Sequence, residues 1–421
     1  MALVRSILLL VLLAPLFAHA QTLDSKYFGY FYNDGSSYNN SATSFTENYN
    51  RINLYHIDLW AGNTTAAGRD GTASYVLQQL EQARSHGVKA IITATPFVFQ
   101  YNASNQWQME PNASAVWSAF VDRLVSAGYL IPGNPQLSTV VAIYLIDEPE
   151  LSGLSDQNGA AHPAMINAIN AIKGNPSTAS VPTAMIVTTN FPNMPQTVQL
   201  TDWVGFDDYS SSEALWNAQY GEFKGMLGPN QRTILVPKAS SGCGSGDNTY
   251  FNPYNFYNLM VNDAQAIWLT PFRWFSPQAD CPGVRDIPSI TGPYNNVGQM
   301  FKQASNPVIG NLDGIYYDGS TPILSGWSCT KGVPQSVYVD LYVGGPYGAG
   351  GVGIGHYLAN VASEPAVASA CAVSGGSYRF AITLTPQIRA QYAGQKIYAY
   401  GIATYVGNNN ALSNSGTITV P

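Results

Sequence analysis

Charge is scarce in this chain. Only 10% of its 421 residues are Asp, Glu, Lys or Arg, and the balance is acidic, with 18 basic against 25 acidic side chains for a net charge of −7. Nucleic acids and acidic polymers are bound through clustered Lys and Arg, so this composition excludes them as partners. Cysteine is thin as well, with four residues and no CxxC. His56, His86, His162 and His356 lie far apart, without the spacing of zinc ligands, so no metal is expected. No strand-like run is followed by a glycine-rich phosphate or dinucleotide loop, and no cofactor is expected either. Ser240-Ser241-Gly242 is not a GxSxG elbow, and no histidine stands in a triad context, which removes serine-nucleophile chemistry. Regular calcium-loop spacing is missing too.

Long apolar runs are also lacking. Ile7 to Phe17 is the longest, about eleven residues against the roughly twenty that a membrane helix needs. It follows Arg5 and precedes Ala18-His19-Ala20, the pattern of an export signal cut near Ala20. Residues 1–20 are therefore read as a signal peptide, the mature chain as secreted or periplasmic, and no membrane span is expected. An oxidising compartment and an even cysteine count favour disulfides. Cys243 with Cys281 and Cys329 with Cys371 are nearest neighbours in sequence, although four cysteines permit three connectivities.

What the chain does have is a run of apolar and β-branched residues ending abruptly in acids: Val140-Val141-Ala142-Ile143-Tyr144-Leu145-Ile146-Asp147-Glu148-Pro149-Glu150. Such a run reads as a strand covered on both faces, and Pro149, which has no N–H for the ladder, ends it. Seven more strand-like segments precede or follow: Tyr27 to Tyr32, Ile52 to Trp60, Ala90 to Phe99, Ala184 to Asn190, Trp203 to Phe206, Thr233 to Pro237 and Ile267 to Phe275. Amphipathic helical runs separate them, such as Ala73 to Arg84 before Gly87 and Ser114 to Ala127 before Gly128. Alternation of this kind implies an α/β fold with parallel strands and right-handed crossovers, and eight units over about 300 residues fit a closed (β/α)8 barrel. After about residue 320 the pattern changes to short strands, Val337 to Val343, Tyr378 to Thr385, Lys396 to Tyr405 and Gly416 to Val420, with glycine-rich turns between them. The expected domains are the barrel over 21–320 and a small C-terminal β-sandwich over 321–421, joined at Asp318 to Pro322.

A barrel aims the C-terminal ends of all its strands at one mouth, so the end residues form one set. They are Tyr32-Asn33-Asp34, then His56, Asp58 and Trp60, then Thr95-Pro96-Phe97, then Asp147-Glu148, then Asn190, then Asp207-Asp208-Tyr209, then Lys238, and finally Arg273-Trp274. Acids with amides and aromatics around them suit cleavage of a glycosidic bond, where one carboxyl protonates the leaving oxygen and another attacks the sugar or activates water. Glu148, Asp208 and Asp207 are the candidate catalytic carboxyls. Asp147, Tyr209, Asn190, Trp60, Asp58, Lys238, Arg273 and Trp274 are the candidate substrate contacts, for a poly- or oligosaccharide. Consecutive strand residues face opposite ways, so one acid of each adjacent pair is expected to face the lumen.

Ile146-Asp147-Glu148-Pro149 resembles the motif of the TIM-barrel glycoside hydrolase superfamily, above all the clan whose fourth strand ends in Asn-Glu-Pro. That resemblance implies a (β/α)8 TIM barrel, Glu148 as acid/base, and Asp147 in place of the asparagine that contacts the sugar. The clan places a second glutamate at the end of strand seven, where this chain has Val236-Pro237-Lys238-Ala239-Ser240. Asp207 and Asp208, at the end of strand six, are the replacements. The same gap motivates the alternative of a non-catalytic glycan-binding or cell-surface protein on a degenerate glycosidase barrel.

Overall fold

The structure is a computed structural model that describes residues 23–31, 47–57, 64–104, 106–135, 138–209, 212–240, 249–277, 280–305, 308–402 and 409–421. The expected signal peptide, Asp34, Asp58, Trp60 and Cys243 lie outside these residues.

Eight strands form one parallel sheet: β1 (Tyr27–Phe28), β2 (Leu54–Ile57), β3 (Lys89–Thr93), β4 (Val140–Asp147), β5 (Thr183–Val187), β6 (Trp203–Asp207), β7 (Arg232–Val236) and β8 (Ala266–Leu269). Their order is β1-β8-β7-β6-β5-β4-β3-β2. The two ends of that sheet meet. Asn53 N donates to Phe28 O over 3.1 Å, and Phe28 N donates to the Asn53 side-chain oxygen over 2.6 Å. A methyl group placed on Gly29 would stand 1.8 Å from Leu54 O, so only glycine lets the two backbones approach at this seam.

Helices cover the outside: α1 (Ala66–Ser85), α2 (Ala113–Ser126), α3 (Pro163–Gly174), α4 (Glu213–Gly225), α5 (Pro253–Asn262) and α6 (Pro288–Ser305). Helix α4 shows how sequence produces position. Ser212 caps it by accepting from Leu215 N, and Trp216, Tyr220 and Phe223, at helical spacing, make the buried stripe. Phe206 of β6 meets that stripe, its ring 5.2 Å from Trp216. Phe206 thus faces the helices, which turns its neighbour Asp207 toward the barrel interior. Truncating Trp216 to Ala would cost about 3–5 kcal/mol and loosen the strand that carries Asp207.

Two expectations about segment ends are corrected here. Helix α1 begins seven residues before Ala73, because Thr65 accepts from Gly68 N and so caps the helix upstream of the amphipathic run. The third strand stops at Thr93, and Thr95–Val98 makes a helical turn instead of extending to Phe99.

The rest of the chain is antiparallel. One sheet contains β9 (Val308–Asp318), β10 (Thr321–Thr330), β13 (Val361–Ala362) and β14 (Ser377–Thr383), in the order β9-β10-β14-β13. The other has β11 (Tyr338–Val343), β12 (Val352–Leu358), β15 (Lys396–Ile402), β16 (Asn410–Ala411) and β17 (Ile418–Thr419), with β11 between β12 and β15. Leu312, Leu324, Phe380 and Ile382 from the first sheet share one buried cluster with Val339, Leu341, Ile397 and Ala399 from the second. Asp318 to Pro322, expected to be an interdomain junction, is the turn of the β9–β10 hairpin, so the antiparallel region begins by Val308. Cys329 and Cys371 form a disulfide. Cys281 is disulfide-bonded as well.

Candidate active site

The end of β4 is irregular. Tyr144 pairs with Ala184 and Asp147 with Ile186, three residues along β4 against two along β5, so a bulge lies between them. An extra residue restores Tyr144 and Asp147 to the same side, and the Tyr144 hydroxyl donates to Asp147 Oδ1 over 2.7 Å. Glu148 follows in the left-handed region, with φ 40° and ψ 60°. For a residue with a Cβ that conformation is strained by about 1–2 kcal/mol and needs outside support. Glu148 N supplies some by donating to Ile186 O over 2.9 Å. The Glu150 carboxylate adds more, accepting from Thr188 N at 2.5 Å and so tying the loop after β4 to the end of β5.

Glu148 and Asp207 meet. Their carboxyls hydrogen-bond to one another, and the Tyr209 hydroxyl donates to Asp207. Asp207 is only 8% exposed. Burial pushes Glu148 above the ordinary carboxylate range, assisted by the charge of Glu150 and opposed by the bond from Asp207. Asp207 is raised well above that range, first by burial and then by the charge of Glu148, with the Tyr209 bond opposing. Two carboxyls in contact at a buried site cannot both ionise cheaply, so the pair retains one proton where isolated acids would have lost it. Burial and the charge of Asp207 likewise drive the Tyr209 phenol far upward, which keeps it a donor.

Around this pair the expected residues fall into two groups. Tyr209 stacks on Phe272 with centroids 4.8 Å apart, and Phe272 in turn lies 6.1 Å from Phe31 at the end of β1. Asp208 is buried beside Asp207. Lys238, also buried, follows β7 and donates to Thr249 Oγ1 over 3.2 Å, and the Arg273 guanidinium lies over the Phe272 ring at 5.1 Å. Trp274 departs from expectation. It is 1% exposed, packed against Tyr30 and donating to Glu47, so it belongs to the core and offers no face to a ligand. Asn190 lies beyond the end of β5, which stops at Val187; it is exposed, and its side-chain oxygen accepts from Asn193.

Two participants were not among the expected site residues. Tyr144 and Glu150 flank the acids, and their roles depend on a bulge and a turn that no periodicity signals. His56, collected among the strand-end residues, is packed among aromatics. Its ring stacks on Phe31 at 4.8 Å, with Tyr144 at 4.7 Å and Trp268 at 5.5 Å edge-on. Neither ring nitrogen has a hydrogen-bond partner among the described residues, and burial pushes its pKa down to about 3. Among the described residues no group of three or more His, Cys, Asp or Glu is placed to hold a metal ion.

No protein-family profile and no curated protein matches the chain. Among solved structures it is similar to a Cellulomonas fimi endo-β-1,4-mannanase double mutant, at 12% identity over 93% of this chain and 95% of that one, with a TM-score of 0.42. A GH113 β-1,4-mannanase is similar at 8% identity over 65% and 96% of the two chains, with a TM-score of 0.34. A GH18 chitinase from Pseudoalteromonas aurantia is similar at 11% identity over 59% and 94%, with a TM-score of 0.33. The barrel assignment rests on the strand order, and the chemistry rests on the side chains.

Proposed function

We propose that this chain is an exported glycoside hydrolase acting on a neutral glycan, with Glu148 as the general acid/base. The hydrogen-bonded Glu148–Asp207 pair at the mouth of the barrel carries the reading. A glycosidic oxygen leaves as a poor base unless it is protonated in flight, and a carboxyl that keeps its proton near neutral pH can supply it. Burial and the charge of Glu150 provide that retention. Once Glu148 releases its proton, the hydrogen bond from Asp207 supports the resulting carboxylate.

Direct contact is closer than the roughly 5–5.5 Å that separates acid and nucleophile in retaining enzymes, or the roughly 6.5–9.5 Å of inverting ones. Asp207 therefore serves as the proton partner. Attack on the sugar, or activation of water, falls in this reading to Asp208, which stands one residue beyond the end of β6 and so outside its alternation. Asp147, oriented by Tyr144, and Tyr209, stacked on Phe272, are assigned to hold the ring beside the cleaved bond, with Lys238 and Arg273 at the margin. Residues 1–20 direct export, and the two antiparallel sheets form an accessory β-sandwich.

Reducing-end release from a polysaccharide panel tests this. Glu148→Gln should abolish turnover at unchanged folding, and azide should restore cleavage to an Asp208→Gly variant if Asp208 attacks. Undiminished hydrolysis by Glu148→Gln removes Glu148 from the mechanism. Because β7 ends at Val236 and is followed by Pro237 and Lys238 instead of an acid, a binding-only barrel is the second reading, favoured if no polysaccharide yields product while one binds.

A further inference from the structure

We propose that the outward face of the β11–β15 sheet binds a neutral polysaccharide chain. Alternation along β11 sends Val339, Leu341 and Val343 into the core and turns Tyr338, Asp340 and Tyr342 outward. Along β15 it buries Ile397 and Ala399 and turns Tyr398 and Tyr400 outward. Register sets these rings side by side, Tyr342 opposite Tyr398 and Asp340 opposite Tyr400. Tyr342 also lies 5.8 Å from Tyr400, edge to face at 87°, and 5.4 Å from Tyr347, tilted at 57°, which is 71% exposed on the β11–β12 turn. Across β12, Gly353 stands opposite Tyr342, and with no side chain there the ring lies close against that backbone.

Charge on this face is small and mostly internally matched. Asp340 is hydrogen-bonded to His356, whose ring stacks on Tyr338 at 4.1 Å. The other sheet is dressed differently, with Arg379 bridging Glu364 and Asp313 in an ordinary solvated ion network. A surface needing only water would be expected to resemble that one. Phenols two residues apart along a strand, or adjacent across strands about 4.8 Å apart, present ring faces and hydroxyls at the scale of sugar units. An acidic polymer would be repelled by a chain of net charge −7, and a neutral hydroxyl-rich one would not.

The test is native affinity electrophoresis of the full chain carrying Glu148→Gln, in gels with galactomannan, mixed-linkage β-glucan or polygalacturonate. Retardation is expected in at least one neutral gel and not in the acidic one. Tyr347→Ala and Tyr342→Ala should each weaken it about three- to tenfold, and Tyr342→Phe much less. Tyr347 is exposed enough that its loss leaves folding intact. The proposal is overturned if no neutral gel retards the protein, if the alanine variants migrate as the parent does, or if light scattering shows a dimer that those variants disperse. The barrel chemistry can fail without touching this result, since Glu148 lies outside the sheet.

Discussion

Acidification should destabilise the protein through His56. The imidazole sits among Phe31, Tyr144 and Trp268 with both nitrogens unpaired among the described residues, and its folded-state pKa is pushed from 6.5 down to about 3. The unfolded chain then takes up the proton first. Stability attributable to this residue is intact above about pH 6.5, falls as the pH drops, and levels off once the folded state also protonates near pH 3. At 1.36 kcal/mol per unit the full interval amounts to about 5 kcal/mol, of which about 3 kcal/mol is lost by pH 4.5. His56→Leu, of similar volume and without a buried polar atom, should be neutral or stabilising at about pH 7 and should lack this slope. Urea unfolding of wild type and variant at about pH 7 and about pH 4.5 measures the difference between their slopes, which cancels every other titrating group. Equal slopes, or an imidazole resonance titrating near 6.5 in the folded protein, would refute the reasoning.

The Glu148–Asp207 pair has the opposite sign, because raised carboxyl pKa values stabilise the fold at low pH and lose that contribution as pH rises through them. Asp207→Asn should therefore raise the melting temperature more at about pH 8 than at about pH 4; an equal change at the two pH values counts against a raised Asp207. Tyr144→Phe should cost about 1.5–3 kcal/mol in chemical denaturation, the value of a hydrogen bond to a charged group, and should raise KM if Asp147 positions the sugar. Cys329→Ala with Cys371→Ala opens a loop of 42 residues and should cost about 4 kcal/mol on the chain-entropy account, read from the same urea curves.

Pattern carried the barrel a long way. Eight apolar runs in alternation with helices named the eight strands in order, and an apolar run breaking into acids located both β4 and β6. Side-chain direction at the strand ends was less legible. Strict alternation separates Asp147 from Tyr144, and only the bulge brings them together. Trp274 reads as a mouth aromatic because it follows a strand, but the chain has by then curled back on Tyr30 and Glu47, contacts hundreds of residues distant in sequence. Asp318-Gly319-Ser320-Thr321-Pro322 has the composition of a linker and equally that of a tight hairpin; the choice depended on β9, whose alternation is blurred by Gly310 and Gly314. His56 carried no signal, since one histidine in an apolar strand looks the same whether or not its nitrogens find partners.

The seam between β1 and β2 has a consequence for how the barrel opens. From β2 round to β8 neighbouring strands pair over three or more residues, while the two-residue β1 pairs with β8 at only two positions and is fastened to β2 by Asn53, whose side chain stands in for part of the ladder and whose amide group also donates to Lys26 O. The cylinder is thus a sheet with a clasp, and one amide side chain is the catch. Breathing motions should begin there, with the amide protons of Phe28 and Asn53 exchanging well before those of Ile143 or Leu235 on the far side.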